Sequence, residues 1–249
     1  MSFSNTDTGS KPADPYTAKN KDESSLKEKV EDLIHFAEKQ KFCLLTTITP
    51  EGQVATRCMA VAGKVSLTNG ISRMLCRTSQ PWFGTLELMG KPLLQENNGI
   101  DFIFHTNTES GKTDDLDANP QVNLGFLASS GEWASISGKA TVVTDRAEVK
   151  KHYSEHLKVW LGDLGDGKHD GGPEDPRIGL IKVHSNTIQY ATSRRSAIGS
   201  AVELAKSYVT GETAQVNKLR HLSEQEIQQC EFRRHTILFP YRRDIIEHD

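Results

Sequence analysis

Thr106, Ser110 and Lys112 fall within one polar turn, and hydroxyls beside a lysine are suited to holding an anion. The turn runs from His105 to Gly111 and follows a compact apolar run, Ile100, Phe102, Ile103 and Phe104, whose aromatic and β-branched side chains predict a strand. After Lys112, either Thr113 or Asp114 can cap a short helix, which Asn119-Pro120 stops; a second apolar strand, Val122 to Leu127, follows. Backbone donors of the turn, the positive end of the helix and the lysine together suit a phosphate. The competing reading is a solvated hairpin turn with ordinary hydroxyls. Gly111-Lys112-Thr113 resembles the end of a P-loop, but the glycine required five places earlier is Thr106, so that motif is excluded.

Other reactive side chains carry weaker signals. Arg57 sits on a predicted strand with Ala55 and Met59 as alternate neighbours, and a lone strand arginine is usually an edge charge in water. His152 and His156 are one helical turn apart, yet neither a third ligand nor an H-E-x-x-H pattern accompanies them, so no metal site is expected. No G-x-G-x-x-G follows a strand, which argues against a Rossmann dinucleotide site.

The elements that would position these groups can be read in chain order. Residues 1–24 are polar and without apolar period, predicting a disordered tail. Ser25 and Glu28 make a capping box for an amphipathic helix through Lys39 carrying Leu26, Val30, Leu33, Ile34 and Ala37. Phe42 to Ile48 and Gln53 to Val61 read as a hairpin around Thr49-Pro50-Glu51-Gly52. Beyond the central turn, Ala134 to Thr144 is a strand that Gly138 should break with a bulge. A helix from Asp145 to Leu157, a Gly/Asp-rich loop, strands at Ile178 to Val183 and Thr187 to Tyr190, an amphipathic helix at Ala197 to Val209 ended by Gly211, and a shorter helix at Ser223 to Gln229 complete the pattern.

The chain has 249 residues, 36% hydrophobic and 25% charged, enough for one domain with a substantial core. A net charge of −3 and a pI near 6.3 give no support to general nucleic-acid or acidic-membrane binding. Cys43, Cys58, Cys76 and Cys230 form no C-x-x-C pair, which fits free thiols in a reducing compartment. With neither a long apolar run nor an apolar leader, a cytoplasmic location is expected.

The pattern F-x-F-H-T-N-x-x-S-G-K, then A-N-P-x-V-N-L-x-F, GEWASISGKA and WLGDLGDGKHDGGPEDPRIGLIKV, resembles the pyridoxamine 5′-phosphate oxidase-like, FMN-binding split-barrel superfamily, in its general-stress and blue-light-induced branch. The resemblance covers 25–229 and implies a mainly β fold with peripheral helices, a Greek-key split β-barrel, FMN as cofactor and a homodimer with flavin between subunits. It assigns Arg57 to the FMN phosphate, whose charge Arg57 and Lys112 together can neutralise, with Thr106 and Ser110 as hydroxyl donors. Met59, His105, Trp133 and Tyr190 are placed near the cofactor, Tyr190 standing where many relatives carry tryptophan. Residues 63–99 depart from the pattern as a lineage-specific insertion or, slightly favoured, translated non-coding sequence, expected to contribute nothing to the barrel; 230–249 match nothing. A flavin brings its own redox chemistry, so the resemblance leaves two readings: FMN binding in stress or light response without turnover, or an FMN-dependent oxidoreductase of unknown substrate. A true pyridoxamine phosphate oxidase is weaker, since Arg233-Arg234-His235 lies far beyond Tyr190 and the terminal R-L-x-P is missing.

Overall fold

A computed structural model describes residues 14–60 and 100–237, together with three short strands at 7–8, 11–12 and 94–96. In chain order the elements are β1 (Asp7–Thr8), β2 (Lys11–Pro12), α1 (Pro15–Asn20), α2 (Leu26–Glu38), β3 (Phe42–Ile48), β4 (Val54–Ala60), β5 (Leu94–Glu96) and β6 (Asp101–Asn107). There follow α3 (Gly111–Ala118), β7 (Gln121–Leu127), β8 (Trp133–Val143), α4 (Arg146–His152), α5 (Leu157–Leu161), β9 (Ile178–Ser193), α6 (Ala197–Thr210), β10 (Asn217–Leu222) and α7 (Glu224–Ile237).

One antiparallel sheet dominates, ordered β4-β3-β7-β8-β9-β6-β5, with β10 also paired to β9. The long β9 organises it. One edge of β9 pairs with β8, while the other is divided between β6, against 178–183, and β10, against 188–193. The sheet thereby curls into a half-barrel that splits beyond β9. At the centre of the β8–β9 ladder the register shifts between Ser137 and Gly138, as the sequence predicts. There the backbones approach so closely that a Cβ on Gly138 would stand 2.0 Å from the His184 carbonyl oxygen.

The concave face holds the main core. Leu45, Leu124, Ile136 and Ile188 are fully buried in a cross-strand row, with Phe102 and Phe104 alongside, and α2 closes over them with Val30, Leu33, Phe36 and Ala37. Helix α2 begins where its capping box predicts: Ser25 Oγ accepts from Glu28 N, and the Glu28 carboxylate accepts from Ser25 N. A smaller cluster, Ile103, Val149, Ile178 and Leu180, packs on the opposite face beneath α4.

Several expectations require correction. Pro15–Asn20 is helical rather than part of a disordered tail, because Asn20 anchors it to the loop before β10: its fully buried amide donates to Ala214 O and accepts from Val216 N and Asn217 N. Leu94–Glu96 pairs with β6, so this part of 63–99 does add an edge strand to the sheet; the rest of that stretch lies outside the described residues. The two predicted strands after Ile178 are one continuous strand, β10 went unread, and α7 runs to Ile237 past the expected boundary at Gln229. The remainder of 230–249 lies outside the described residues.

Tyr190 shows how α2 is tied down. Its hydroxyl donates to Lys29 O at 2.6 Å and accepts from Arg220 Nη1 at 3.4 Å, and burial pushes the phenol up to about 12. Arg220 in turn holds Asp22 and Asp32 at 2.7 and 2.6 Å. Tyr190→Phe should lower stability by about 1–2 kcal/mol, read as a lower midpoint of thermal unfolding, because a buried network loses its central hydroxyl. Flavin affinity should not change.

Candidate functional site

Strand β4 and helix α3 bring two cations together from opposite sides of the sheet order. Leu45 pairs with Arg57 and Cys43 with Met59, so Arg57 and Met59 share the concave face, Met59 buried and Arg57 at its margin. Beyond β3, α3 lays Asp115 under the guanidinium. Arg57 Nη1 lies 2.8 Å from Asp115 Oδ2 and donates to Thr47 Oγ1 at 2.8 Å; Thr47 Oγ1 donates to Asp115 Oδ2 at 2.7 Å. Thr47 and Asp115 are buried, while the Arg57 side chain keeps 35% exposure. This three-point clamp takes one corner of the guanidinium, and among the described residues its other nitrogens meet no acceptor.

Lys112 lies close enough for Arg57 to act on it electrostatically. Its ammonium donates to Ser110 Oγ at 2.6 Å, and Ser110 Oγ passes its own proton to Asn107 O at 2.7 Å. Burial first, and the Arg57 charge second, push the Lys112 pKa below the ordinary lysine value. Thr106 Oγ1 also donates to Asn107 O, at 3.1 Å, so both hydroxyls converge on one carbonyl. With its hydroxyl committed to Asn107, Ser110 stands at the cap position of α3 without capping it. The first N–H groups of α3 thus receive no side-chain cap. Two cations face one carboxylate here, beside a helix N-terminus. Such a surplus of positive charge suits a phosphate, whose charge would relieve the cost of holding Lys112 protonated while half-buried.

The structure does not gather every residue singled out from sequence. Thr106, Ser110 and Lys112 share one turn, Arg57 acts electrostatically on Lys112, and Met59 lies on the same strand face as Arg57. His105 points the other way along β6, on the Ile103 face, where Nε2 meets His152 O at 2.6 Å and burial lowers its pKa. It is a packing residue beneath α4 rather than a neighbour of Lys112. Tyr190 is likewise a correction: it is fully buried in the core with its hydroxyl engaged, so it offers no face to a ligand. Trp133 lies half-buried on the convex face, opposite Leu127 and Ala191, away from the Arg57 side of the sheet. Thr47 and Asp115 escaped the sequence reading. Asp115 follows Lys112 by three residues, a spacing that puts both on one helix face, and this was the available signal.

The protonation of Lys112 has a measurable consequence. A phosphate ligand should bind with full affinity while Lys112 is charged and lose affinity as pH rises through its lowered pKa, hence below the 10.5 of an ordinary lysine. Affinity measured across alkaline pH should fall earlier in the native protein than in Lys112→Arg, whose guanidinium stays charged.

Comparison with known proteins gives concordant results. The family model described as pyridoxamine 5′-phosphate oxidase like matches residues 72–215, beginning within the stretch expected to depart from it and excluding Arg57. Protein bli-3 of Neurospora crassa is 47% identical over 229 residues, covering 91% of this chain and 95% of that protein. A solved structure from Jannaschia sp. CCS1, assigned provisionally as general stress protein 26, superposes with a TM-score of 0.51 at 16% identity, over 79% of this chain and 99% of its own. A protein related to general stress protein 26 from Clostridium acetobutylicum gives a TM-score of 0.48 at 13% identity, over 82% and 99% of the two chains.

Proposed function

Because the chain belongs to the pyridoxamine 5′-phosphate oxidase-like family, we propose that it binds FMN, with the flavin phosphate held by Arg57 and Lys112. The observation that carries this reading is the surplus charge of the cluster. Arg57 is clamped at one corner by Asp115 and Thr47, and Lys112 is half-buried with Ser110 as its hydrogen-bond partner. Arginine supplies a planar two-point grip and lysine a point charge. Ser110 can turn its proton from Asn107 to a phosphate oxygen, and Thr106 supports the same turn. Bound flavin would supply the capacity to accept or donate one or two electrons. Asp115, the acid nearest to the cations, is committed to Arg57 and Thr47, so the chain's own contribution is grip and orientation. Binding in a stress or light response is therefore preferred to turnover of a substrate.

A second copy of the chain would complete the site. The Arg57 side chain keeps 35% exposure at the margin of the concave face, which leaves the guanidinium accessible to a ligand. On the convex face Phe42, Leu44, Val54 and Leu127 are half or more exposed, beside Trp133, and this apolar face suits the partner in a homodimer. The absorbance spectrum of the purified protein tests the reading. Flavin bands from a phosphate-bearing cofactor that copurifies, or that reconstitutes the protein when added, are expected; a protein that takes up no flavin would refute it.

A further inference from the structure

Helix α6 is built inside out. Its half-buried positions, Gly199, Ser200, Glu203 and Ser207, are small or polar and form the face turned to its own chain. The apolar side chains point to water: Ile198 is 79% exposed, Val202 64%, Leu204 54%, Tyr208 92% and Val209 83%. Ile198, Val202 and Val209 follow the spacing of a single stripe, with Leu204 and Tyr208 widening it. The helix is well formed, capped by Ser196 Oγ accepting from Gly199 N and stopped by Gly211 in the left-handed conformation. It is held at its root by Glu203, which pairs with Arg195 at 3.4 Å and accepts from Gln215 N. An amphipathic helix normally turns its stripe inward, so among the described residues the stripe of α6 lacks a partner.

We infer that the apolar stripe of α6 docks on a second copy of this chain, across the convex face of the partner's sheet; this rests on the homodimer proposed above. The two apolar surfaces lie toward the same end of the sheet. Helix α6 connects Ser193 of β9 to Asn217 of β10, which pair with each other, and two residues back Ala191 lies in the row Leu127–Trp133–Ala191. The helix therefore leaves the sheet at the end where Leu127 and Trp133 stand. The scale also favours a dimer. Isolated apolar patches on monomers reach roughly 300–600 Å², whereas a stable interface takes about 800 Å² per partner. The stripe together with Phe42, Leu44, Val54 and Leu127 supplies nine large apolar side chains, of which the aromatic ones alone carry on the order of 150–250 Å² each. Both surfaces lie on the same chain, so a twofold axis buries each twice: helix of one protomer on sheet of the other, and the reverse. A lipid surface fits less well, because Lys206 is the one cation on α6 and a membrane helix needs a basic rim.

Sedimentation equilibrium on the full-length, FMN-loaded protein tests the inference, comparing wild type with Val202→Glu/Tyr208→Glu and with Thr210→Glu as a charged control off the stripe. The double variant should raise the dimer dissociation constant by on the order of a hundredfold. The control should not, and circular dichroism should show the same helix content in all three. In wild type, hydrogen exchange in α6 should be slow in the dimer and fast on dilution. A double variant that dimerises like wild type would overturn the role of α6 while leaving the homodimer standing. A monomeric wild type at every accessible concentration would overturn both, and protection of α6 in the monomer would overturn its docking role by assigning the stripe to another segment of the same chain. Binding of anionic vesicles by wild type and not by the double variant, with dimerisation unchanged, would give the stripe to lipid and equally overturn the inference.

Discussion

Arg57→Ala should weaken FMN binding by roughly ten- to a hundredfold, the effect of removing a charge-assisted hydrogen bond of about 1.5–3 kcal/mol. The loss should be confined to the phosphate: riboflavin, with the same ring and no phosphate, should bind the variant as it binds the native protein. Arg57→Lys should recover the charge but not the two-point grip, and so fall between the two. A second effect follows from the clamp. Removing Arg57 leaves the Asp115 carboxylate buried with the Thr47 hydroxyl as its remaining side-chain partner among the described residues, which should cost about 1–3 kcal/mol of stability. Titration calorimetry and thermal unfolding on the same variant separate these effects. Equal loss for both flavins would mean that Arg57 acts on the fold rather than on phosphate.

Gly138→Ala should be the most damaging single methyl group on the sheet. The added Cβ would fall 2.0 Å from His184 O and 2.9 Å from its carbonyl carbon, and neither atom can rotate away as a side-chain tip could. The β8–β9 ladder must shift at its bulge, and β9 carries β6 on one stretch and β10 on another, so the strain spreads to both. A loss of roughly 3 kcal/mol or more is expected, at the upper end of what overpacking costs. Gly111→Ala is the contrast: nothing lies within 4 Å of its Cβ position, so stability should barely move. Chemical denaturation of the pair checks the difference.

How much of this was legible in sequence depends on the range of the interaction involved. The capping box of α2, the bulge at Gly138 and the glycine stop of α6 were readable because each is encoded within a few residues. The β9–β10 pairing was not, since β10 has mixed polarity, is ordered by its ladder to β9, and is anchored at its start by Asn20, nearly two hundred residues away in the chain. The phosphate turn was legible as residue types, but the Thr47–Asp115 clamp depends on which strand lies under α3, and no local pattern states that. Tyr190 and His105 misled for the reason that an aromatic in the right place along the chain says nothing about the face it points from. Inside a curled sheet, one residue of register decides between core and ligand. The inverted stripe of α6 was read correctly as amphipathic, yet amphipathicity alone does not say whether the apolar side meets the same chain or another.

The central claim, a phosphate-selective flavin site built on Arg57 and Lys112, is tested most directly by titrating flavin-free protein with FMN and with riboflavin and following fluorescence quenching. FMN should bind at least about tenfold more tightly, with the gap shrinking as salt is added and vanishing in Arg57→Ala/Lys112→Ala. Equal affinities for the two flavins in the native protein, or a gap that survives the double substitution, would contradict it.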